Sequence, residues 1–163
     1  MVTQHHTEQD VLNILKEISD PEIPVLSVID MKIISRVEVN DNTVSVEITP
    51  TFVGCPALEH IKDQIRIKLT SMGFERVHVQ TNYSKPWSTD LLDNQTKEKL
   101  RAFGVAPPVT VQLNLSQTLS EPVACPFCNS QQTHLESSFG PTLCKQIFYC
   151  DSCRQSFERF KPL

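Results

Sequence analysis

The sequence predicts a mixed α/β (α+β) protein: a compact α-β-β-α-β-α sheet domain at residues 7–104, a linker at 105–122, and a small cysteine-stapled β module at 123–161. Three observations carry this prediction. Helical and strand periodicities alternate along roughly the first hundred residues, the pattern of helices packed on a sheet. Pro107-Pro108 then opens a stretch rich in Gln, Ser, Asn and Thr that reaches about Glu121. Beyond it, four of the chain's six cysteines form two pairs, Cys125-Pro126-Phe127-Cys128 and Cys150-Asp151-Ser152-Cys153.

Taken in order, Thr7 can cap a first helix that runs to about Ile18, with Val11, Leu12, Leu15 and Ile18 as its apolar stripe. Asp20-Pro21-Glu22-Ile23-Pro24 ends it, because two prolines in five residues cannot continue a helix. Ile33 to Val39 and Thr43 to Ile48 alternate as strands around a turn at Asp41-Asn42. A loop from Thr49 to Ala57 leads into a strong helix, roughly Ala57 to Met72. Leu58, Ile61, Ile65, Leu69 and Met72 share one face of it, and Gly73 is its stop.

Arg76 to Tyr83 reads as a third strand. Ser84 to Asp90 is a loop, in which Ser88 or Thr89 can cap a short helix. A further helix from about Asn94 to Phe103 stops at Gly104, and Val109 to Leu115 is a candidate extra strand. In the cysteine module, Thr133 to Ser138 and Cys144 to Tyr149 predict two strands around Gly140-Pro141, and Phe157 to Phe160 a third.

The chain has 163 residues and a net charge of −4, spread unevenly. Residues 1–122 carry 11 Lys/Arg against 16 Asp/Glu, and the remainder 4 against 3. Neither part has the basic patch of a nucleic-acid binder, which favours proteins as partners. No apolar run is long enough to span a bilayer, and Met1 to Asp10 lacks the apolar core of a signal peptide. Cysteines in Cys-x-x-Cys spacing without an export signal read as thiols of a reducing cytoplasm rather than as disulfides.

Each Cys-x-x-Cys turn delivers two thiolates from one tight knuckle, and two knuckles complete a tetrahedral zinc site with Cys125, Cys128, Cys150 and Cys153 as ligands. Four sulfurs leave no open position for water, so the zinc reads as structural and the module as a zinc ribbon. A module this small cannot rely on a hydrophobic core, which is why a metal staple suits it. Cys144 lies outside both pairs. It reads either as a small buried hydrophobe or as an auxiliary thiol that converges with Cys55.

Cys55 precedes Pro56, a residue suited to the first position of a helix. That placement makes Cys55 the N-cap, where free backbone N–H groups favour a thiolate. A reactive or metal-handling thiol fits, and so does an ordinary half-buried cap cysteine. Asp20 and Glu22 read as solvated residues of a Pro-bounded turn, and His60 as a surface residue. There is no nucleophile–base set, no phosphate-cradling glycine loop and no dinucleotide fingerprint.

Together these motifs resemble a known family. Asp20-Pro21-Glu22-Ile23-Pro24-Val25, Ile29-Asp30, Thr49-Pro50-Thr51 and Gly54-Cys55-Pro56-Ala57 are similar to the metal–sulfur cluster assembly (SufT-type) domain. Pro86-Trp87-Ser88-Thr89-Asp90, Gly104-Val105-Ala106-Pro107-Pro108, Ser138-Phe139-Gly140, Cys144-Lys145 and both cysteine pairs extend the match. Over nearly the whole chain, these resemble the PaaD family of phenylacetyl-CoA epoxidase systems. The chain departs from that pattern at Met31-Lys32, Leu91-Leu92 and Pro141, but no departure removes a cysteine.

The resemblance implies an accessory role in aerobic phenylacetate degradation, assisting maturation of an iron–sulfur or iron centre in the oxygenase or its reductase. The alternative is a non-catalytic structural or regulatory component of the oxygenase complex. The sequence lacks the two helical Glu-x-x-His motifs of a di-iron bundle, since its one such run, Glu75 to His78, leads into a predicted strand, so an oxygen-activating role is not expected. On the resemblance, Cys55 would hold or hand over iron or cluster, Asp20 and Glu22 would shape its pocket, and the ribbon would dock the client. Partners would be the oxygenase and reductase proteins, with iron–sulfur assembly proteins beside them.

Overall fold

The computed structural model describes residues 6–110 and 114–163. The chain divides into two units, at residues 1–87 and 88–163.

The first unit opens with α1 (Glu8–Leu15), started by a reciprocal cap in which Thr7 and Asp10 satisfy each other's backbone N–H groups. Val11 and Leu15 are its fully buried residues. The helix stops three residues short of Ile18 because Glu17 and Ile18 donate to the carbonyls of Ile14 and Leu15, tightening the end into a turn. β1 (Ile34–Asn40) and β2 (Thr43–Ile48) pair antiparallel, with Asn40 opposite Thr43. The turn between them holds Asp41 at φ 49°, the left-handed geometry that short hairpins favour. α2 (Leu58–Ser71) then carries the chain to β3 (Arg76–Thr81), parallel to β2, giving the order β1-β2-β3.

β2 alternates strictly, with Val44, Val46 and Ile48 fully buried and Thr43, Ser45 and Glu47 less so. Leu58, Ile61, Ile65 and Leu69 of α2 are buried too, on the face its periodicity predicted. Each such side chain removed from water contributes about 1.5–3 kcal/mol, so this core outweighs the unit's surface ion pairs. Residues 20–31 are a packed loop, with Ile23, Leu26, Val28 and Met31 buried. It is fastened by Asp20 N–H to Leu26 O and Val28 N–H to Ile18 O, each 2.9 Å. Trp87 closes the unit by donating its indole N–H to Met31 O at 2.8 Å.

The second unit begins with a 3-10 turn (Thr89–Leu91) and α3 (Asn94–Ala102), capped by Asp93 accepting from Thr96 N–H. β4 (Val105–Ala106) follows and pairs parallel with β7 (Gln155–Phe160). β7 pairs with β6 (Lys145–Cys150), and β6 with β5 (Thr133–Ser137), giving the order β4-β7-β6-β5. The three strands expected of the ribbon are therefore present, and β4 extends their sheet.

The division at Trp87 differs from the boundary expected at 104, because α3 contacts β4 and β4 belongs to the ribbon sheet. Parts of the expected linker are likewise structured, at 105–106 and 115–120. The candidate strand at Val109 to Leu115 runs through residues 111–113, which lie outside the described residues, and at its far end Leu115 opens α4 (Leu115–Ser120). Asn114 caps that helix. Its last carbonyls are taken by side chains distant in sequence: Arg159 Nη1 donates to Thr118 O at 3.0 Å, and Gln146 Nε2 to Leu119 O at 3.1 Å.

Candidate functional site: a four-cysteine metal centre and the Cys55 thiol

The two knuckles of the second unit are built alike. In the first, Asn129 N–H returns to Cys125 O at 2.9 Å, with Asn129 at φ 61°. In the second, Arg154 N–H returns to Cys150 O at 2.8 Å, with Arg154 at φ 58°. This reversal right after each pair aims both sulfurs of a knuckle the same way.

The four Sγ atoms lie within 4.8 Å of one another, with Cys125–Cys153 at 3.7 Å and Cys128–Cys150 at 3.6 Å. A tetrahedron of sulfurs about 2.3 Å from zinc has edges of about 3.8 Å, so the donor set and its size fit that metal. Without a cation the thiols cannot all ionise together. The Cys153 backbone N–H is the main influence bringing Cys150 to about 7, while burial and then the neighbouring sulfurs push Cys153 up to about 12. A divalent ion supplies the charge that deprotonates all four.

Hydrogen bonds outside the sulfurs tie the knuckles together: Ser130 Oγ meets Ser152 Oγ at 2.7 Å, and Ser152 donates to Gln132 Oε1 at 3.0 Å. His134 is no ligand. It pairs with Asp151 at 3.2 Å and meets the Tyr149 ring at a tilt of 47°, with centroids 5.6 Å apart. Cys144 is buried in the same unit, where its sulfur meets Thr142 Oγ1 at 3.2 Å. Cys55 belongs to the other unit.

Cys55 lies half-buried on the loop between β2 and α2, after Gly54 at φ 85°. The helix starts later than its proline suggested. Pro56 and Ala57 form a turn closed by Leu58 N–H to Cys55 O at 3.2 Å, and the helix begins at Leu58 with Ala57 as a cap that offers no side-chain bond. The backbone amides of Ala57 and Leu58 still act to lower the pKa of the Cys55 thiol. The thiol nonetheless stands above its ordinary range. Burial is the main cause, and the charges of Glu22 and Asp20 act in the same direction against the two amides. The expected N-cap preference for thiolate is thus outweighed by desolvation.

The structure brings Asp20, Glu22 and Cys55 into one electrostatic neighbourhood. Asp20 is no solvated turn residue: it is 8% exposed, and its Oδ1 accepts from Glu22 N–H at 2.8 Å and Ile23 N–H at 2.9 Å. Among the described residues, the four ribbon cysteines are the group of three or more potential ligands that gathers within 4.8 Å. Asp20, Glu22 and Cys55 are not drawn together that closely. His60, on the helix beyond, is exposed. Beside Cys55, the same loop lines a pocket of about 190 Å³ with Pro50, Phe52, Val53, Tyr83, Pro86 and Trp87.

Sequence reasoning passed over Arg159 and Gln146, which face each other across β6 and β7 and are almost wholly buried. Arg159 lies over the Phe148 ring at 5.3 Å, and burial lowers its guanidinium to about 10. Arg159 stands between Glu158 and Phe160, so nothing in its local sequence marked it as buried.

Two family models match the chain in consecutive stretches. The iron–sulfur cluster assembly protein model covers residues 8–81, and the PaaD zinc beta ribbon domain model covers 111–161. A protein of Escherichia coli (strain K12), provisionally described as the D component of 1,2-phenylacetyl-CoA epoxidase, is 38% identical over 93% of this chain and 91% of its own. An Fe–S protein maturation auxiliary factor of Porphyromonas gingivalis is 33% identical over 58% of this chain and 90% of its own. Among solved structures, a conserved hypothetical protein of Thermotoga maritima matches 61% of this chain and 98% of its own at TM-score 0.53 and 26% identity. A domain of unknown function from Bacillus anthracis shares the fold at TM-score 0.53 and 21% identity, over 57% of this chain and 90% of its own.

Proposed function

The chain belongs to the PaaD family of 1,2-phenylacetyl-CoA epoxidase components, and from that premise we propose that it is a maturation factor for the epoxidase system. In this reading it assists assembly of the iron–sulfur or iron centre of the oxygenase or its reductase in the cytoplasm, without itself catalysing ring oxygenation. The relative from Porphyromonas gingivalis and the match over residues 8–81 support it.

The observation that carries the reading is the Cys55 thiol, approached by two backbone amides and overlooked by Glu22 and Asp20. Four of the other cysteines are committed to the structural centre, whose zinc Cys125, Cys128, Cys150 and Cys153 would hold. Iron is the cargo here. Its arrival replaces the thiol proton, and the Ala57 and Leu58 amides then stabilise the thiolate that burial had disfavoured. A single protein thiolate grips a metal far less firmly than four, which suits hand-over rather than storage. Glu22 and Asp20 limit the charge the site tolerates without a cation, so they tie thiolate formation to metal arrival.

The test is the epoxidase and its reductase purified from cells carrying wild-type protein, Cys55→Ser, or no protein, with iron and acid-labile sulfide measured per polypeptide. Cys55→Ser should retain zinc and fold yet leave the client as metal-poor as the deletion does. Full metallation with Cys55→Ser would end the thiol mechanism. A fully metallated client from the deletion strain, inactive until this chain is added back, would instead establish a component of the working complex.

A further inference from the structure

We propose that the tip of the β5–β6 hairpin is a docking knob, and that it inserts into an apolar socket with a carboxylate rim on the client protein. The proposal rests on the maturation reading for the existence of a client, but stands on its own geometry. The tip, Phe139-Gly140-Pro141-Thr142-Leu143, presents Phe139 at 71% exposure and Leu143 at 57%. Large apolar side chains standing out singly are ordinary on protein surfaces. These two differ in how firmly they are held out.

Ser137 Oγ donates to Phe139 O at 2.9 Å and accepts from Phe139 N–H at 3.1 Å, fixing the backbone on both sides of the ring. Gly140 N–H donates to Lys145 O at 3.0 Å, and Lys145 N–H to Thr142 O at 3.1 Å, so the tip is cross-braced. Gly140 comes so near that a Cβ would stand 3.0 Å from the Lys145 carbonyl carbon and oxygen. An aromatic side chain on a rigid backbone loses little freedom when it is buried, which is what makes an anchor residue effective.

Charge decides the kind of socket. Lys161 places its ammonium 5.3 Å from the Phe139 ring centroid and forms no ion pair among the described residues. The neighbouring Lys145 is already satisfied by Glu158 at 2.7 Å. The knob therefore carries one cation without an internal counter-ion, laid along its aromatic anchor. The complementary surface is an apolar hollow that supplies a carboxylate.

Binding of zinc-loaded full chain to the purified epoxidase oxygenase, and separately to its reductase, tests this across a range of salt concentrations. Wild type should bind one of them, more weakly as salt rises. Phe139→Ala should weaken that affinity at least about tenfold. Lys161→Gln should weaken it roughly two- to fivefold and flatten the salt dependence, while Lys161→Arg keeps both. Unchanged zinc content in each variant excludes misfolding as the cause. No binding to either protein, or wild-type affinity for Phe139→Ala, overturns the proposal. So does a self-association that Phe139→Ala abolishes, or a salt-sensitive complex with a DNA duplex that Lys161→Gln abolishes. Affinity of the Phe139 variant and client iron with Cys55→Ser are separate readouts, so docking and thiol chemistry can fail independently.

Discussion

The backbone amides of Ala57 and Leu58 favour the Cys55 thiolate, as they should for a residue leading into a helix, yet burial and the charges of Glu22 and Asp20 hold its thiol above the ordinary range. At neutral pH it is therefore protonated and slow towards electrophiles. Glu22 raises the pKa, so Glu22→Gln should lower it and speed iodoacetamide labelling of Cys55 at pH 7.5 by about two- to fivefold. Peptide mass spectrometry separates this cysteine from the others. A rate unchanged or slowed by the substitution would show that the carboxylate does not govern the thiol. Arg159 shows burial acting on a cation: its guanidinium falls to about 10, still charged at neutral pH, and anchors α4 through Thr118 O and Leu119 O.

Each cysteine knuckle ends on a residue in the left-handed region, Asn129 in one and Arg154 in the other. Asparagine tolerates that conformation, whereas arginine is held there at a cost of about 1–2 kcal/mol because its Cβ crowds the next carbonyl. β-branching worsens the crowding and glycine removes it. Arg154→Val should release zinc to a chelator more readily than wild type, and Arg154→Gly should retain it at least as well. Equal retention by Val and Gly would mean that the turn is not what holds the second knuckle. α4 illustrates a different dependence. It is six residues long and unstable alone, and it forms where Arg159 and Gln146 donate to its terminal carbonyls.

Across the whole chain, the division at Trp87 sets which segments share the metal's stabilisation. The first unit has its own core on β2 and α2, whereas the second gathers Ala106, Val123, Phe148 and Phe157 around Cys125 and Cys150. Removing the metal should strip amide protection from β5 to β7. The loss should extend to α4 and to α3, which ends more than twenty residues ahead of the first ligand, while β1 to β3 stay protected. Hydrogen exchange with and without chelator reads this directly. Protection of α3 that survives chelation would return that helix to the first unit. Among the described residues no helix is long and apolar enough to cross a membrane.

The sequence by itself determined most of the elements and the donor set of the metal centre, because these are written in local patterns. The stripe on α2, the alternation of β2 and the two Cys-x-x-Cys turns are properties of neighbouring residues. It also singled out Asp20, Glu22 and Cys55, but not the balance among them. Whether Cys55 leans towards thiol or thiolate depends on how deeply the folded loop sits and on carboxylates more than thirty residues away. The unit boundary and α4 likewise escaped local reading. β4 joins β7, and α4 rests on Arg159, across some forty to fifty residues of chain. Periodicity reports which face of a segment is apolar; burial, pairing and charge balance at a distance arise only once the chain has folded back on itself.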